Sequence, residues 1–179
     1  AYLGRFGFDS ERLPKGLSLA LGSATVTPLE IARGYASFAN GGYLINPFLI
    51  ARIEDQDGAI VEYANREMIC PDCPAPKTKT SSNQNRTVDS RFAPRIISEE
   101  NAFIVDSLMK EVVSNGTAKA ALQLNRSDLA GKTGTTNNYF DAWFTGYNPD
   151  VVTSVWVGFD SPQDLGKGES GARAALPIW

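Results

Sequence analysis

The chain has 179 residues, of which 42% are hydrophobic and 10% aromatic, so it holds enough apolar side chains for one domain or a large part of one. Its formal net charge of -3 provides no basic field for a phosphate backbone, and we expect no nucleic acid partner. The absence of histidine excludes Ser-His-Asp and Cys-His triads, which leaves lysine, carboxylates and hydroxyls for nucleophilic chemistry.

The first half of the chain predicts a helix followed by a β-hairpin. Residues 27–30, Thr-Pro-Leu-Glu, form a capping box with proline at the first helical position, so a helix is expected to begin there. Asn-Gly-Gly at 40–42 supplies residues that tolerate the left-handed backbone at a helix end. Two short apolar runs follow at 48–53 and 59–63, and the Asp-Gln-Asp-Gly between them predicts a hairpin with an Asp-Gly turn.

Residues 68–94 differ in character, because they are rich in proline and polar residues and hold almost nothing to bury. We predict a polar, mobile insert here. Cys70 and Cys73 lie in it as Cys-Pro-Asp-Cys, a spacing that suits half a zinc site or a redox pair. Zinc would need two further ligands, and the neighbouring prolines disfavour the helix of a redox pair. A local disulfide and two ordinary thiols both remain open.

A second helix is predicted after the insert. Ser98 is a suitable N-cap, and Glu99 and Glu100 follow in the first turn, where the helix dipole favours negative charge. The helix is expected to run to residue 113 or 114 and to end at Asn-Gly. Three-four spacing predicts that its buried stripe consists of Ile104, Val105, Leu108, Met109 and Val112.

Three successive strands are predicted next, at 129–136, 142–147 and 151–159. The last of them carries apolar side chains on both faces, so we expect a sheet that helices cover. The remaining chain is glycine-rich and polar from 161 to 171, and 174–179 resembles the start of another helix.

The first of these strands contains Gly-Lys-Thr-Gly-Thr-Thr at 131–136. Gly-Lys-Thr also ends a Walker phosphate-binding loop, but Arg126 stands where that loop needs its first glycine. The loop also needs a helix after the threonine, and residues 135–139 are poor helix formers that lead into a strand. We therefore predict a strand here and not the site of a nucleotide enzyme.

A strand gives these residues a different chemistry. Thr133 and Thr135 place two hydroxyls on one side, where they can hold a carboxylate, and Gly134 between them lets a substrate backbone lie against the strand. Lys132 adds positive charge, and the amide of Thr135 could donate into an oxyanion hole. Taken alone, the hexapeptide also suits an ordinary glycine-kinked edge strand.

A series of segments in order makes the chain resemble the class A penicillin-binding proteins, which are bifunctional peptidoglycan synthases. The resemblance implies an α+β fold, an antiparallel sheet covered by helices of the serine β-lactamase and D,D-peptidase type, incomplete in this chain. It also implies serine acyl transfer on D-Ala-D-Ala stem peptides, with no cofactor or metal, and acylation by β-lactam antibiotics. The segments that carry it are Arg-Phe-Gly-Phe at 5–8, Leu-Ser-Leu-Ala-Leu-Gly at 17–22, Val-Thr-Pro-Leu-Glu at 26–30, Phe-Ala-Asn-Gly-Gly at 38–42, Gly-Thr-Ala at 116–118, residues 130–136, and Asp-Ala-Trp-Phe-Thr-Gly-Tyr at 141–147.

The resemblance also implies roles for particular residues. A lysine at the position of Lys132 assists the serine of a Ser-x-Asn motif in that family, and threonines at the positions of Thr133 and Thr135 bind the substrate carboxylate. Tyr139 and Phe140, in the turn after the motif, are candidates for lining the cleft, with a simple packed turn as the alternative.

The family's other two motifs, Ser-x-x-Lys and Ser-x-Asn, occur here only as accidental matches. Ser-x-x-Lys begins at Ser107, about two turns inside the second predicted helix, where the field of the helix N-terminus has faded. Ser-x-Asn is found at 81–83, in the insert, so the two motifs are also in reversed order. We expect the nucleophile on an upstream half absent from this chain, to which this C-terminal fragment, inactive by itself, binds tightly.

The expected organisation is a first part of the transpeptidase C-terminal half at 1–67, the insert at 68–94, and a part with the second helix and the motif strands at 95–179. No run approaches the ~18 consecutive apolar residues of a membrane span, so we expect a chain that is soluble or has lost its anchor. The resemblance places it in the periplasm, from a parent protein anchored in the bacterial inner membrane. A β-lactam sensor or a non-catalytic peptidoglycan-binding module is the alternative.

Overall fold

In the computed structural model, which describes residues 2–71 and 92–179, the first helix, α1, spans Pro28–Ala39. The capping box forms as predicted. The Thr27 hydroxyl accepts a hydrogen bond from the Glu30 amide at 3.2 Å, and the Glu30 carboxylate accepts one from the Thr27 amide at 2.7 Å. These bonds satisfy donors that a helix start otherwise leaves unpaired. They also hold the pKa of the Glu30 carboxyl below its usual value, so the box is intact at neutral pH.

Replacing Thr27 by alanine is expected to destabilise the first turn of α1 by about 1 kcal/mol, which corresponds to an about fivefold faster exchange of its amide hydrogens. Hydrogen exchange of the full-length protein, read by mass spectrometry, measures this. Thr25→Ala is the matched control, because Thr25 is exposed and its side chain makes no hydrogen bond to the described residues. Equal exchange of α1 in the two variants would count against the capping box.

The predicted hairpin is present but shorter. Strands β1 (Arg52–Glu54) and β2 (Ile60–Tyr63) pair antiparallel. Gly58 turns the chain with a φ of 80°, and the Asp55 carboxylate accepts a hydrogen bond from the Ala59 amide at 2.8 Å. Every residue of the two strands is exposed, so the hairpin adds little to the core.

The two ends of the predicted insert lie beside each other. Met68 and Phe92 form a parallel bridge, and the amide of Ala93 donates to the carbonyl of Met68 at 2.9 Å. Cys70 takes part in a disulfide bond. The predictions about Cys73 and about the Ser-x-Asn at 81–83 fall outside the described residues.

Helix α2 spans Glu99–Ser114 and is N-capped by Ser98, as predicted. The predicted buried stripe is wrong at two of its five positions, however, because Ile104 and Leu108 are 54% and 62% exposed. The buried residues are Ala102 and Val113, three turns apart on the side of the helix that meets the protein. Periodicity finds the apolar face of a helix but does not say what covers it. The other three stripe residues are half-buried: Val105, Met109 and Val112.

The sheet after α2 has the three predicted strands in antiparallel order β3-β4-β5. They are β3 (Ala130–Thr135), β4 (Asp141–Tyr147) and β5 (Val152–Gly158). The predicted boundaries agree with these to within one residue, because alternating apolar residues and the Asn-Pro-Asp turn mark them clearly.

Both faces of this sheet are covered. On one face, Tyr35 of α1 contacts Tyr147 edge-on, with ring centroids 6.5 Å apart. On the other, Phe144 is fully buried and contacts Trp179 edge-on, with centroids 5.1 Å apart. The predicted terminal helix is a single helical turn, Gly171–Ala175, that begins earlier than expected. No helix in the described ranges has the length and apolar character of a bilayer span. The α+β architecture, an antiparallel sheet covered by helices, is as predicted.

Candidate active site

Strand β3 presents an open edge, because among the described residues it pairs only with β4. The Thr136 amide donates to the Asp141 carbonyl at 3.0 Å. Backbone groups alternate along an antiparallel pair, so this bond directs the N–H and C=O of Gly134 toward β4 and those of Thr133 and Thr135 toward the open edge. An extended peptide could therefore pair with the backbone of Thr133 and Thr135.

Lys132 reaches the same edge from the opposite face. Pleating directs its side chain away from the Thr133 and Thr135 side chains, yet its ammonium donates to the Thr133 carbonyl oxygen at 2.9 Å. That carbonyl points to the open edge, so the ammonium lies at the same edge as the backbone of Thr133 although the side chains are on opposite faces. Lys132 is exposed and forms no ion pair with a carboxylate of the described residues. Its positive charge is therefore available to an anionic ligand.

The Thr133 hydroxyl has a partner from outside the sheet. Its Oγ1 lies 2.7 Å from the Oγ1 of Thr117, a hydrogen bond in which either hydroxyl could donate. Thr133 is half-buried and Thr117 exposed, so this pair lies at the surface and not in the core.

The Thr135 hydroxyl is held by the C-terminal segment. Its Oγ1 accepts a hydrogen bond from the amide of Gly171 at 3.0 Å, which leaves the hydroxyl proton free to donate. Gly171 can approach so closely only because it lacks a side chain. A Cβ there would lie 2.5 Å from the carbonyl oxygen of Gly134 and closer still to that of Trp143.

Tyr139 and Phe140 lie in the short turn that joins β3 to β4, and both are half-buried. Tyr139 adopts a left-handed φ of 55°, and its carbonyl accepts a hydrogen bond from the Leu165 amide at 3.0 Å. This bond ties the glycine-rich segment to the end of β3. The role of the two rings in lining a cleft stays a prediction.

The Ser-x-x-Lys match in α2 does not have the geometry of a nucleophile. Ser107 lies in the interior of the helix, where its hydroxyl donates to the Phe103 carbonyl at 2.8 Å. Lys110 forms an ion pair with Asp106 at 2.8 Å. These contacts agree with the prediction that the match is accidental.

A family model described as the penicillin binding protein transpeptidase domain matches residues 7–178. The chain belongs to this family of penicillin-binding transpeptidase domains. Penicillin-binding protein 1A of Pseudomonas aeruginosa is 44% identical over the whole chain, and that of Neisseria meningitidis is 43% identical over 99% of it. The chain spans 25% and 20% of the lengths of these two proteins.

The solved structures lead to the same family. The crystal structure of penicillin-binding protein 1A from Haemophilus influenzae superposes with a TM-score of 0.85 at 40% identity, over 99% of this chain and 28% of that one. The predicted resemblance to penicillin-binding proteins and the predicted transpeptidase fold are therefore confirmed.

Two contacts of this transpeptidase-domain segment were not predicted. The sequence singled out Thr117 within Gly-Thr-Ala at 116–118, but nothing in the spacing linked it to β3. Gly171 was assigned only to a glycine-rich, polar tail, although its amide donates to the Thr135 hydroxyl. Both contacts join residues more than ten positions apart, which periodicity does not detect.

Proposed function

We propose that this chain is the part of a peptidoglycan D,D-transpeptidase that binds the acyl donor. The observation that carries the proposal is the open edge of β3, where the Thr133 and Thr135 hydroxyls, the backbone of both residues and the Lys132 ammonium come together. This combination suits the end of a D-Ala-D-Ala stem peptide, which presents an extended backbone and a terminal carboxylate.

In this proposal, the two hydroxyls bind the terminal carboxylate while the donor backbone pairs with β3. The Thr135 amide, which points to the open edge, donates to the oxyanion that forms at the attacked carbonyl. Lys132 assists proton transfer to and from the attacking serine. The serine displaces D-alanine, and an amine of a second stem peptide then takes the acyl group. β-Lactams acylate the same serine.

The attacking serine is proposed to lie in a partner segment, the upstream half of the same protein. The exposed apolar residues of α2 support this, because Ile104 and Leu108 present uncovered apolar surface on a helix that also contacts β3. The segment Leu17–Leu21 adds Leu17 and Leu21, which are 96% and 91% exposed. The complete protein is proposed to act in the periplasm from an inner-membrane anchor, and this chain alone to be inactive.

Labelling the full-length protein with a fluorescent penicillin tests the proposal. We expect a covalent adduct on a serine outside this chain and release of D-alanine from a D-Ala-D-Ala stem peptide. An adduct without D-alanine release would indicate a β-lactam sensor, the alternative function. The absence of an adduct, or an adduct on Ser107, would refute the proposed site.

A further inference from the structure

The backbone of Thr117 is held in place on both sides. Gly116 packs so closely against the last turn of α2 that a Cβ there would lie 2.8 Å from the Cα of Val112. Ala118 has no exposed surface, and its amide donates to the Val112 carbonyl at 3.1 Å. The backbone between these two residues has little freedom to move, so the Cα–Cβ bond of Thr117 is aimed before any ligand arrives.

That side chain is directed at one atom. The Thr117 Oγ1 lies 2.7 Å from the Thr133 Oγ1, which is the usual length of a hydrogen bond between two hydroxyls. Thr117 is itself exposed, so burial alone gives no reason for a threonine at this position.

Counting protons gives the direction of this bond when an anion is bound. Each hydroxyl has one proton and can also accept. A carboxylate can only accept, so the Thr133 proton must point at it, and the Thr117 proton must then point at the Thr133 oxygen. The resulting chain of donors runs from Thr117 through Thr133 to the carboxylate, and each bond polarises the next.

We infer that Thr117 is a positioning residue that orients the Thr133 hydroxyl as a donor to the carboxylate of the acyl donor, and so contributes to selection of donors that carry this charge. The inference rests on the proposed function of the β3 edge. Thr117 itself touches neither the carboxylate nor the reacting carbonyl.

Two D-alanyl thioester donors that differ only in their terminal group, a carboxylate or a carboxamide, test this inference in the full-length protein. Acylation is followed by release of the thiol. We expect Thr117→Val to lower the second-order rate about tenfold for the carboxylate donor and to change it less than about twofold for the carboxamide. Thr117→Ser, which keeps the hydroxyl, is expected to restore most of the rate.

A double-mutant cycle with Thr133 isolates the contact from general effects on folding. In a Thr133→Val background, Thr117→Val should have no further effect on the carboxylate donor, because the hydroxyl that it orients is gone. Thr153→Val is the matched control, because Thr153 is an exposed threonine of β5 whose side chain has no hydrogen bond within the described residues.

The outcomes separate this inference from the function on which it rests. A wild-type protein that releases no thiol from either donor would refute the proposed function and the inference together. Normal wild-type acylation with an unchanged Thr117→Val rate would overturn the role of Thr117 alone. Equal losses for both donors, or additive effects in the cycle, would also overturn it, since they would indicate a structural role only.

Discussion

Replacing Lys132 by methionine is expected to lower the rate at which penicillin acylates the full-length protein by about a thousandfold or more. Methionine keeps the unbranched stem of the side chain but loses the ammonium that lies at the open edge, 2.9 Å from the Thr133 carbonyl oxygen. The variant should fold normally, since Lys132 is exposed and forms no ion pair with the described carboxylates. Stopped-flow measurement with a fluorescent penicillin gives the rate.

Two further variants define what the lysine does. Lys119→Met is the matched control, because Lys119 is an exposed lysine after α2 without an ion pair in the described ranges, and it should react at the wild-type rate. Lys132→Arg keeps the charge but cannot exchange a proton near neutral pH. A low acylation rate of Lys132→Arg would therefore support proton transfer by Lys132. A near-normal rate would indicate that Lys132 contributes only its charge. A Lys132→Met rate within tenfold of wild type would contradict both roles.

The elements that the sequence predicted well are those whose cause is local. The capping box at Thr27 and Glu30 contains both of its own partners, and the strands around the motif are marked by alternation and turn residues. The sequence could distinguish the motif strand from a phosphate-binding loop for the same reason, since the residues after Thr135 do not favour a helix.

The predictions that failed depend on what a segment packs against. The stripe of α2 was located by periodicity, but Ile104 and Leu108 are exposed because the side of Ala102 and Val113 meets the protein. Periodicity records which side chains share a face and carries no information on the neighbour of that face.

The sequence suggested residues for the candidate site, whose roles stay predictions, but it did not give their geometry. Pleating placed Lys132 opposite Thr133 and Thr135, and only the structure shows its long side chain returning to the open edge. Thr117 and Gly171 could not be assigned to the site, because contacts between distant segments leave no local pattern. The close approach of Gly171 to the strands becomes visible only when the backbone of the neighbouring strands is placed.

Gly171 is the position at which the smallest change should have a large effect on this site. Alanine would place its Cβ 2.5 Å from the Gly134 carbonyl oxygen and closer still to the Trp143 carbonyl oxygen. These two oxygens belong to the backbone of β3 and β4. Neither can move without breaking the pairing of the strands. We therefore expect Gly171→Ala to destabilise the β3 edge by about 3 kcal/mol, at the upper end for overpacking.

Two measurements on the full-length protein check this prediction. Amide hydrogens of β3 should exchange about a hundredfold faster, and acylation by penicillin should slow, because the displaced segment no longer holds the Thr135 hydroxyl. Gly16→Ala is the matched control, since the φ of Gly16 is -96° and the nearest atom to a Cβ there is 3.5 Å away. Thr135→Val separates the two effects, because it removes the hydroxyl without the steric conflict. We expect Thr135→Val to slow acylation and to leave the exchange of β3 at the wild-type rate. We expect Gly171→Ala to slow acylation and also to speed the exchange of β3. Unchanged exchange of β3 in Gly171→Ala would show that the C-terminal segment does not support this edge.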